Sequence, residues 1–476
     1  MAVLRETAAP TEVLLVHAPY PGRLKFQGVP SSLFAAIGPF VAANGDRDVS
    51  YLDPRGPSVA FYQRLRTTLA SGRVRALCIS TSTAAIEETA RIAALSAEVS
   101  PATLVVVGGP HEDSVDRKSA MSVPGVHLSI AGDAESALQR VLEQFLSAGT
   151  SAQEFLAGLT PSLFDHERTS GRFTVACAGW VAPFAFDRGA NRHRDPRPLV
   201  FPDRYPRFDV FDAEATIPLM VSRGCPYGRC TFCAEANRDG TLIRTESYEW
   251  IERLAQRDPG AALYFQDSIF PSGNAARAEL LPLLRRLGRP WGCQVYLPML
   301  NERQVAELAD HGCRYLYTGV ESGAQSVLDG VRKPSVHRDL VLEAMGWAER
   351  NRVSVGLSLM FGAMSTTGEI LESSATLDAT VDLASAVLDT GVRVAGFYPN
   401  VLTVLPGTQL ARGLATAGHD LDFYAMPRAG IFDALEDGGV GYNFLTLGRE
   451  SRDALVLAED IVSAAHDVQE LVGRAW

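Results

Sequence analysis

Short apolar runs, many of them β-branched, alternate with amphipathic segments over two long stretches of the chain. That rhythm leaves few folds open. In the first stretch the runs are Val13-Leu14-Leu15-Val16, Val49-Ser50-Tyr51-Leu52, Ala76-Leu77-Cys78-Ile79-Ser80, Leu104-Val105-Val106-Val107 and Val126-His127-Leu128-Ser129-Ile130. Helical candidates lie between them near 32–43, 58–71, 84–98 and 134–147. Strands that are apolar along their whole length bury both faces, which specifies a parallel sheet covered by helices on each side. Five such strands predict a flavodoxin-like, doubly wound α/β domain over residues 1–150. Its ligands would sit beyond the carboxyl ends of the strands.

Those ends carry residues suited to a ligand. Strand 1 runs into His17-Ala18-Pro19-Tyr20-Pro21-Gly22, strand 3 into Ser80-Thr81-Ser82-Thr83, and strand 4 into Gly108-Gly109-Pro110-His111. Paired glycines allow close approach to the backbone, and hydroxyls bond amides or phosphates. Ordinary strand-to-helix turns use the same residue types. The G-x-G-x-x-G fingerprint is missing after strand 1, which disfavours a nicotinamide dinucleotide.

The second stretch, residues 213–408, repeats the rhythm six times. Its strand candidates are the run before Cys225, then Leu263-Tyr264-Phe265, Gln294-Val295-Tyr296-Leu297, Tyr315-Leu316-Tyr317, Val355 to Phe361 and Val392 to Tyr398. Helices are expected near 246–256, 274–287, 302–310, 336–351 and 367–387. Six βα units predict a partial parallel barrel with its active site at the carboxyl ends of the strands.

Of seven cysteines, Cys78, Cys177, Cys293 and Cys313 are scattered singly and read as buried thiols. The remaining three form Cys225-x4-Cys230-x2-Cys233, immediately after an apolar strand. Three thiolates on one loop grip three corners of an iron–sulfur cubane and leave the fourth iron open. Structural zinc asks for four ligands, and no fourth Cys or His lies nearby; a three-ligand catalytic zinc stays open.

Composition sets the remaining bounds. With 476 residues, 46% hydrophobic and 21% charged, the chain can bury sizeable cores. A net charge of −11 argues against nucleic acid as the main partner. The first residues do not read as a signal peptide, and no apolar run approaches the ~20 residues of a membrane span. A cytoplasmic protein is expected. Only Lys25, Lys118 and Lys333 are lysines among 44 basic residues, which reads as genome composition rather than mechanism. Residues 151–212 read as a solvated linker, with an anion-binding lip of Arg188, Arg192, Arg194, Arg197, Arg204 and Arg207 as the alternative.

The motifs resemble those of the cobalamin-binding radical S-adenosylmethionine enzymes, over nearly the whole chain. Ser222-Arg223-Gly224-Cys225-Pro226-Tyr227 and Cys230-Thr231-Phe232-Cys233 resemble that family's cluster loop. Phe265 to Phe270, Gly319-Val320-Glu321-Ser322-Gly323 and Leu359-Met360-Phe361-Gly362 resemble its second, fourth and fifth barrel strands. Leu405-Pro406-Gly407-Thr408 resembles a motif near the barrel's end, and Val107 to His111 its cobalamin-domain turn. Two departures stand out. Four residues separate the first two cysteines where the family has three, and Gly362-Ala363 stands where a Pro-Gly pair is common. The D-x-H-x-x-G motif of cobalamin mutases is also missing, since Leu15 stands two residues before His17.

The resemblance implies a four-iron, four-sulfur cluster on Cys225, Cys230 and Cys233, with S-adenosylmethionine on its open iron. Phe232 would lie against the adenine, while Glu321 and Ser322 would bond the ribose or the methionine amine. Asp267 is a weaker candidate for the same cofactor, since Asp also caps helices. Gly319 and Gly362 would admit it closely. Tyr20, Ser80, Gly108, Gly109, Pro110 and His111 would face cobalamin. The implied reaction is methyl transfer to an unactivated carbon of a small natural-product intermediate, through a 5′-deoxyadenosyl radical and methylcobalamin. An external flavodoxin- or ferredoxin-type protein would supply the electron. Ring contraction, cyclisation or oxidation with the same cofactors is the closest rival. A cobalamin and iron–sulfur sensor, a transfer-RNA methylthiotransferase and a zinc-binding interaction protein stand further off. Residues 409–476 would select the substrate, and no residue is singled out as catalytic.

Overall fold

The computed structural model describes residues 12–19, 49–52, 59–82, 85–109, 121–163, 173–184, 210–235, 244–245, 248–270, 273–421 and 460–471, with short interruptions. Tyr20, Pro110, His111, the expected helix at 32–43, the arginine-rich segment and residues 422–459 lie outside them. The chain divides into two compact units, residues 1–206 with 249–254, and residues 207–248 with 255–476. Among the described residues no helix is long and apolar enough to cross a membrane.

The first unit is built on one sheet. Its strands are β1 (Val13–His17), β2 (Val49–Leu52), β3 (Ala76–Ser80), β4 (Leu104–Gly108) and β5 (Leu128–Gly132). They lie side by side in the order β2-β1-β3-β4-β5, all parallel. This is the flavodoxin-like order, in which the strand sequence reverses beside β1. Helices α1 (Val59–Ala70), α2 (Ile86–Val99) and α3 (Glu135–Ala148) follow β2, β3 and β5. Leu15, Cys78, Val106 and Ile130 share one core with Val141 and Phe145 of α3. Leu14, Leu77, Val105 and Val107, at the alternate positions, are also buried. Burial of both faces explains why these strands are apolar throughout rather than alternating.

The segment expected to be a linker instead extends this unit. Ser151 and Glu154 form a reciprocal capping box that starts α4 (Ala152–Gly158). Strands β6 (Phe173–Cys177) and β7 (Trp180–Phe184) then add antiparallel to β5. Pro183 is tolerated because β7 is the edge strand. The boundary between the units thus falls near 206 rather than 150.

The second unit holds six parallel strands: β8 (Thr216–Leu219), β11 (Ala262–Phe265), β12 (Trp291–Val295), β13 (Cys313–Glu321), β14 (Ser354–Phe361) and β15 (Val394–Val401). They neighbour one another in chain order, from β8 at one edge to β15 at the other. A two-residue pairing of β9 (Ser222–Arg223) with β10 (Arg244–Thr245) stands apart. Helices α5 (Asn274–Leu287), α6 (Glu302–Asp310), α7 (Gln325–Gly330), α8 (Arg338–Arg350), α9 (Ser374–Asp389) and α10 (Gln409–Thr416) alternate with the strands. Their ends follow local chemistry: Gly288 closes α5 at φ 64°, Asn301 and Gln304 box the start of α6, and the Leu340 amide donates to His337 Nδ1 at α8.

Strand β12 begins at Trp291, earlier than the expected Gln294. Its Trp-Gly-Cys-Gln-Val sequence has weak strand character, and packing decides the matter. Trp291 is fully buried, its ring edge-on to Phe265 and Phe270 at centroid distances of 5.8 and 5.5 Å. Its Nε1 donates to the His311 carbonyl at 2.7 Å.

Candidate functional site

The cysteine loop leaves the carboxyl end of β8, and a buried carboxylate sets its direction. Asp267, just past β11, accepts the Val221 amide at 3.2 Å, the Ser222 hydroxyl at 2.6 Å and the Ser222 amide. Burial pushes this carboxyl up to about 7, while the Ser222 hydroxyl and the two amides pull it back. Asp267 thus holds the entry to the loop through these three donors.

Further on, Gly224 and Gly228 take φ of 100° and 55°, turns that disfavour any residue with a side chain. Gly228 belongs to the longer first spacing, and its amide donates to Cys225 Sγ at 3.4 Å. The Thr231 amide donates to the Val331 carbonyl at 3.1 Å, and the Leu410 amide to the Thr231 carbonyl at 2.9 Å. Tyr227 Oη donates to the Arg332 carbonyl. The Thr408 motif therefore has two local duties: its hydroxyl caps α10, and α10 then presents Leu410 to the cysteine loop.

Cys225, Cys230 and Cys233 are partly exposed, whereas Cys78, Cys177, Cys293 and Cys313 are buried and outside any disulfide. Burial pushes Cys230 up to about 12, with Cys233, Glu321 and Cys225 adding to the rise and Lys333 opposing it. The three thiols are thus near enough to repel one another as thiolates, and such a donor set asks for a polycation. Among the described residues no three His, Cys, Asp or Glu side chains converge to hold a single metal ion. A cubane does not require that convergence, because each thiolate takes a different iron. The residues present fit such a cluster.

Beside the thiols lies an ion pair that the sequence did not suggest. Lys333 Nζ donates to Glu321 Oε1 at 2.6 Å and to the Gly319 carbonyl at 2.7 Å, with both side chains buried. Glu321 sits at φ 70°, a left-handed conformation that only a demanding environment holds in a non-glycine residue. A Cβ on Gly319 would lie 2.2 Å from Glu321 Oε1 and 2.8 Å from Lys333 Nζ. That glycine makes room for the ion pair.

The other expected contacts are placed as follows. Ser322 is buried, its Oγ 3.2 Å from Thr380 Oγ1 and accepting the Ala324 amide at 3.1 Å. Gly362 turns at φ 75°, and its amide and that of Ala363 donate to Glu372. Burial pushes Glu372 up to about 7, while those amides pull it down. Phe232 lies half-buried between Cys230 and Cys233.

One face of the six-stranded sheet carries tyrosines. Tyr264 and Tyr315 lie deep, with Tyr317 and Tyr398 nearer the carboxyl ends. Tyr315 Oη and Tyr398 Oη are 3.4 Å apart, and the rings of Tyr317 and Tyr398 are 5.4 Å apart between centroids. Asn400 Nδ2 donates to Ser358 Oγ at 3.1 Å. A Cβ on Gly356 would fall 2.1 Å from Tyr315 Oη, so that glycine makes the phenol's seat.

At the strand ends of the first unit, the expected glycines have local partners. A Cβ on Gly109, at φ 106°, would lie 2.8 Å from Ser80 Oγ and from Thr81 backbone atoms. One on Gly108 would lie 2.9 Å from the Ile130 carbonyl. The Thr81 amide donates to the Gly108 carbonyl at 2.8 Å. Ser82 Oγ, by contrast, is enclosed without a hydrogen-bond partner among the described residues. An enclosed hydroxyl of this kind fits a polar group arriving from a ligand. Burial pushes His17 down to about 4, so its ring is neutral.

No protein-family model matches the chain. It is 22% identical over 349 residues to an uncharacterized methyltransferase of Pyrococcus horikoshii, covering 70% of this chain and 67% of that one. A shorter match, 28% over 128 residues, covers 25% of this chain and 27% of the bacteriochlorophyllide d C-12(1)-methyltransferase of Chlorobaculum tepidum. Among solved structures, the radical S-adenosylmethionine methyltransferase TsrM of Kitasatospora setae, with cobalamin and a [4Fe-4S] cluster bound, superposes at a TM-score of 0.58 and 16% identity. That match covers 84% of this chain and 77% of TsrM. The cobalamin-dependent S-adenosylmethionine radical enzyme OxsB, with aqua-cobalamin bound, gives 0.55 and 15%, covering 86% of this chain and 61% of OxsB. In fold, the chain is similar to both of these cobalamin-binding enzymes.

Proposed function

We propose that this chain is a cobalamin-dependent radical S-adenosylmethionine methyltransferase acting on an unactivated carbon of a small molecule. The observation that carries the reading is the loop of Cys225, Cys230 and Cys233 at the carboxyl end of β8, packed beside the buried Glu321–Lys333 pair. Its likeness in fold to TsrM and OxsB supports the same reading. When bound, the cluster and cobalamin supply one-electron cleavage of S-adenosylmethionine and a transferable methyl group.

The chain's own residues hold and orient these groups. The three cysteines would ligate the cluster, fed by an external flavodoxin- or ferredoxin-type donor. Phe232 would cover the adenine, and Ser82 would bond a polar edge of cobalamin. Asp267 fixes where the cysteine loop starts. Tyr317, Ser358, Tyr398 and Asn400 line the sheet face toward the carboxyl ends, where a parallel βα barrel takes its substrate. Burial raises both phenols, so this lining is neutral and hydrogen-bonding. It suits hydroxyl, carbonyl or amide groups of a substrate better than a carboxylate.

Anaerobic reconstitution with iron, sulfide and cobalamin, followed by turnover of S-adenosylmethionine under a reductant, tests the proposal. Both 5′-deoxyadenosine and S-adenosylhomocysteine are expected, and Cys230→Ala should lose the first. Deoxyadenosine without homocysteine would replace methylation by a rearrangement, cyclisation or oxidation. Failure to bind a cluster would overturn the proposal.

A further inference from the structure

We infer that Lys333 is a positioning residue whose dehydrated charge eases electron uptake by a cluster on Cys225, Cys230 and Cys233, with Glu321 as the opposing charge. The inference rests on the function proposed above and assigns these two residues a part that the site motifs do not.

Lys333 is one of only three lysines among 44 basic residues, so arginine is this chain's default cation. At this position arginine would not serve. The ammonium is enclosed between Glu321 Oε1, the Gly319 carbonyl and the face of Tyr296, whose ring centroid is 5.8 Å away. A compact point charge fits there, and a planar five-donor fork does not. The backbone around it is equally constrained. Arg332 takes φ 58°, the Lys333 amide donates to the Leu328 carbonyl at 2.7 Å, and the preceding Val331 carbonyl accepts from Thr231 in the cysteine loop. The chain thus brings one cation to the thiols and ties its segment to their loop.

Electrostatics gives the sign. Burial draws Lys333 toward the neutral form, but the Glu321 carboxylate, 2.6 Å from the ammonium, opposes this and favours the charge. Reducing a cluster adds one electron, taken from the external donor, and no proton need accompany it. A nearby cation with little water around it stabilises that added negative charge, and a nearby carboxylate destabilises it. Lys333 and Glu321 should therefore shift the cluster's potential in opposite directions. A purely structural role for the pair predicts no such opposition.

The test is a reductive titration of reconstituted protein without S-adenosylmethionine, with the reduced cluster read by electron paramagnetic resonance. At the potential that half-reduces the wild type, Lys333→Met should lower the reduced-to-oxidised ratio about tenfold, a shift of about 59 mV for one electron. Glu321→Gln should raise the ratio by a similar factor, and the double variant should return close to wild type. If Lys333→Met does not load, the rise in Glu321→Gln still decides. Loaded single variants that shift the same way, or not at all, overturn this inference alone. A wild-type protein that takes up no cluster overturns the proposed function, and this inference falls with it.

Discussion

Removing the Asp267 carboxylate tests how the cysteine loop is held. Asp267→Ala leaves three buried donors, the Val221 amide, the Ser222 amide and the Ser222 hydroxyl, without their acceptor. Each such loss costs about 1–3 kcal/mol, and partial relaxation brings the sum to about 3 kcal/mol. The penalty should be local. Hydrogen exchange in the peptide spanning β8 and the cysteines should quicken by roughly a hundredfold, with β14 unchanged. The pH dependence separates two accounts of the site. Burial raises the folded carboxyl to about 7 from the usual 3.8, so the folded state retains a proton that the unfolded chain releases above pH 4. The proton's contribution to stability is then full below pH 4 and lost as pH rises to 7, by about 4 kcal/mol over three units. Asp267→Ala lacks this slope, so its penalty relative to wild type should be largest near pH 5 and shrink toward neutrality. Anaerobic denaturant unfolding of both proteins at pH 5, 6 and 7 reads it directly. A penalty that stays flat across these three pH values would refute the reasoning: the carboxylate would then be ionised throughout, with its three donors outweighing burial.

Two further perturbations follow from close contacts. Gly356→Ala sets a methyl 2.1 Å from Tyr315 Oη and 2.9 Å from Tyr398, and should lower stability by about 1–3 kcal/mol in thermal unfolding; adding Tyr315→Phe should recover part of that loss. In the first unit, the Val105 amide donates to His127 Nδ1 at 3.0 Å, which requires a neutral ring, and burial lowers the ring's pKa. Its contribution is therefore present above pH 6.5 and lost on acidification. His127→Gln, which can accept the same bond but not a proton, should show less acid sensitivity in the melting of this unit.

Where local pattern decides structure, the sequence was legible. The strands at 49–52 and 76–80 and the helices at 274–287 and 302–310 fall where apolar period and caps put them. The five parallel strands of the first sheet and the loop after β8 that carries the cysteines also lie where the pattern put them. Hairpin β6–β7 was hidden by its Pro and Arg surroundings, and β12 by a glycine and a glutamine that burial overrides. Long-range partnerships were invisible for a different reason. Glu321 and Lys333 are 12 residues apart, with α7 between them, and nothing in either residue type announces the other. The one available signal was the scarcity of lysine, which composition alone explained away. Gly108, Gly109 and Gly319 were read as openings for cofactors, yet each faces a nearby atom of its own unit.

Asp267 and Glu372 suggest why the loops at these strand ends need carboxylates. A parallel ladder stops where its strands stop, and the next amides have no acceptor within that ladder. At the end of β8 those amides are Val221 and Ser222, and at the end of β14 they are Gly362 and Ala363. In both places one buried carboxylate takes both amides, reached across 45 or 46 residues in the first case and 9 or 10 in the second. Burial opposes the charged form in each, and the paired donors offset part of that cost. A side-chain acceptor has an advantage over a backbone one, because it fixes two consecutive amides without continuing the strand. The chain is then free to turn, at Gly224 toward the cysteines and at Gly362 toward α9. The loops are thus directed by acids that stand behind them, and the cysteines need not also carry the burden of holding the fold.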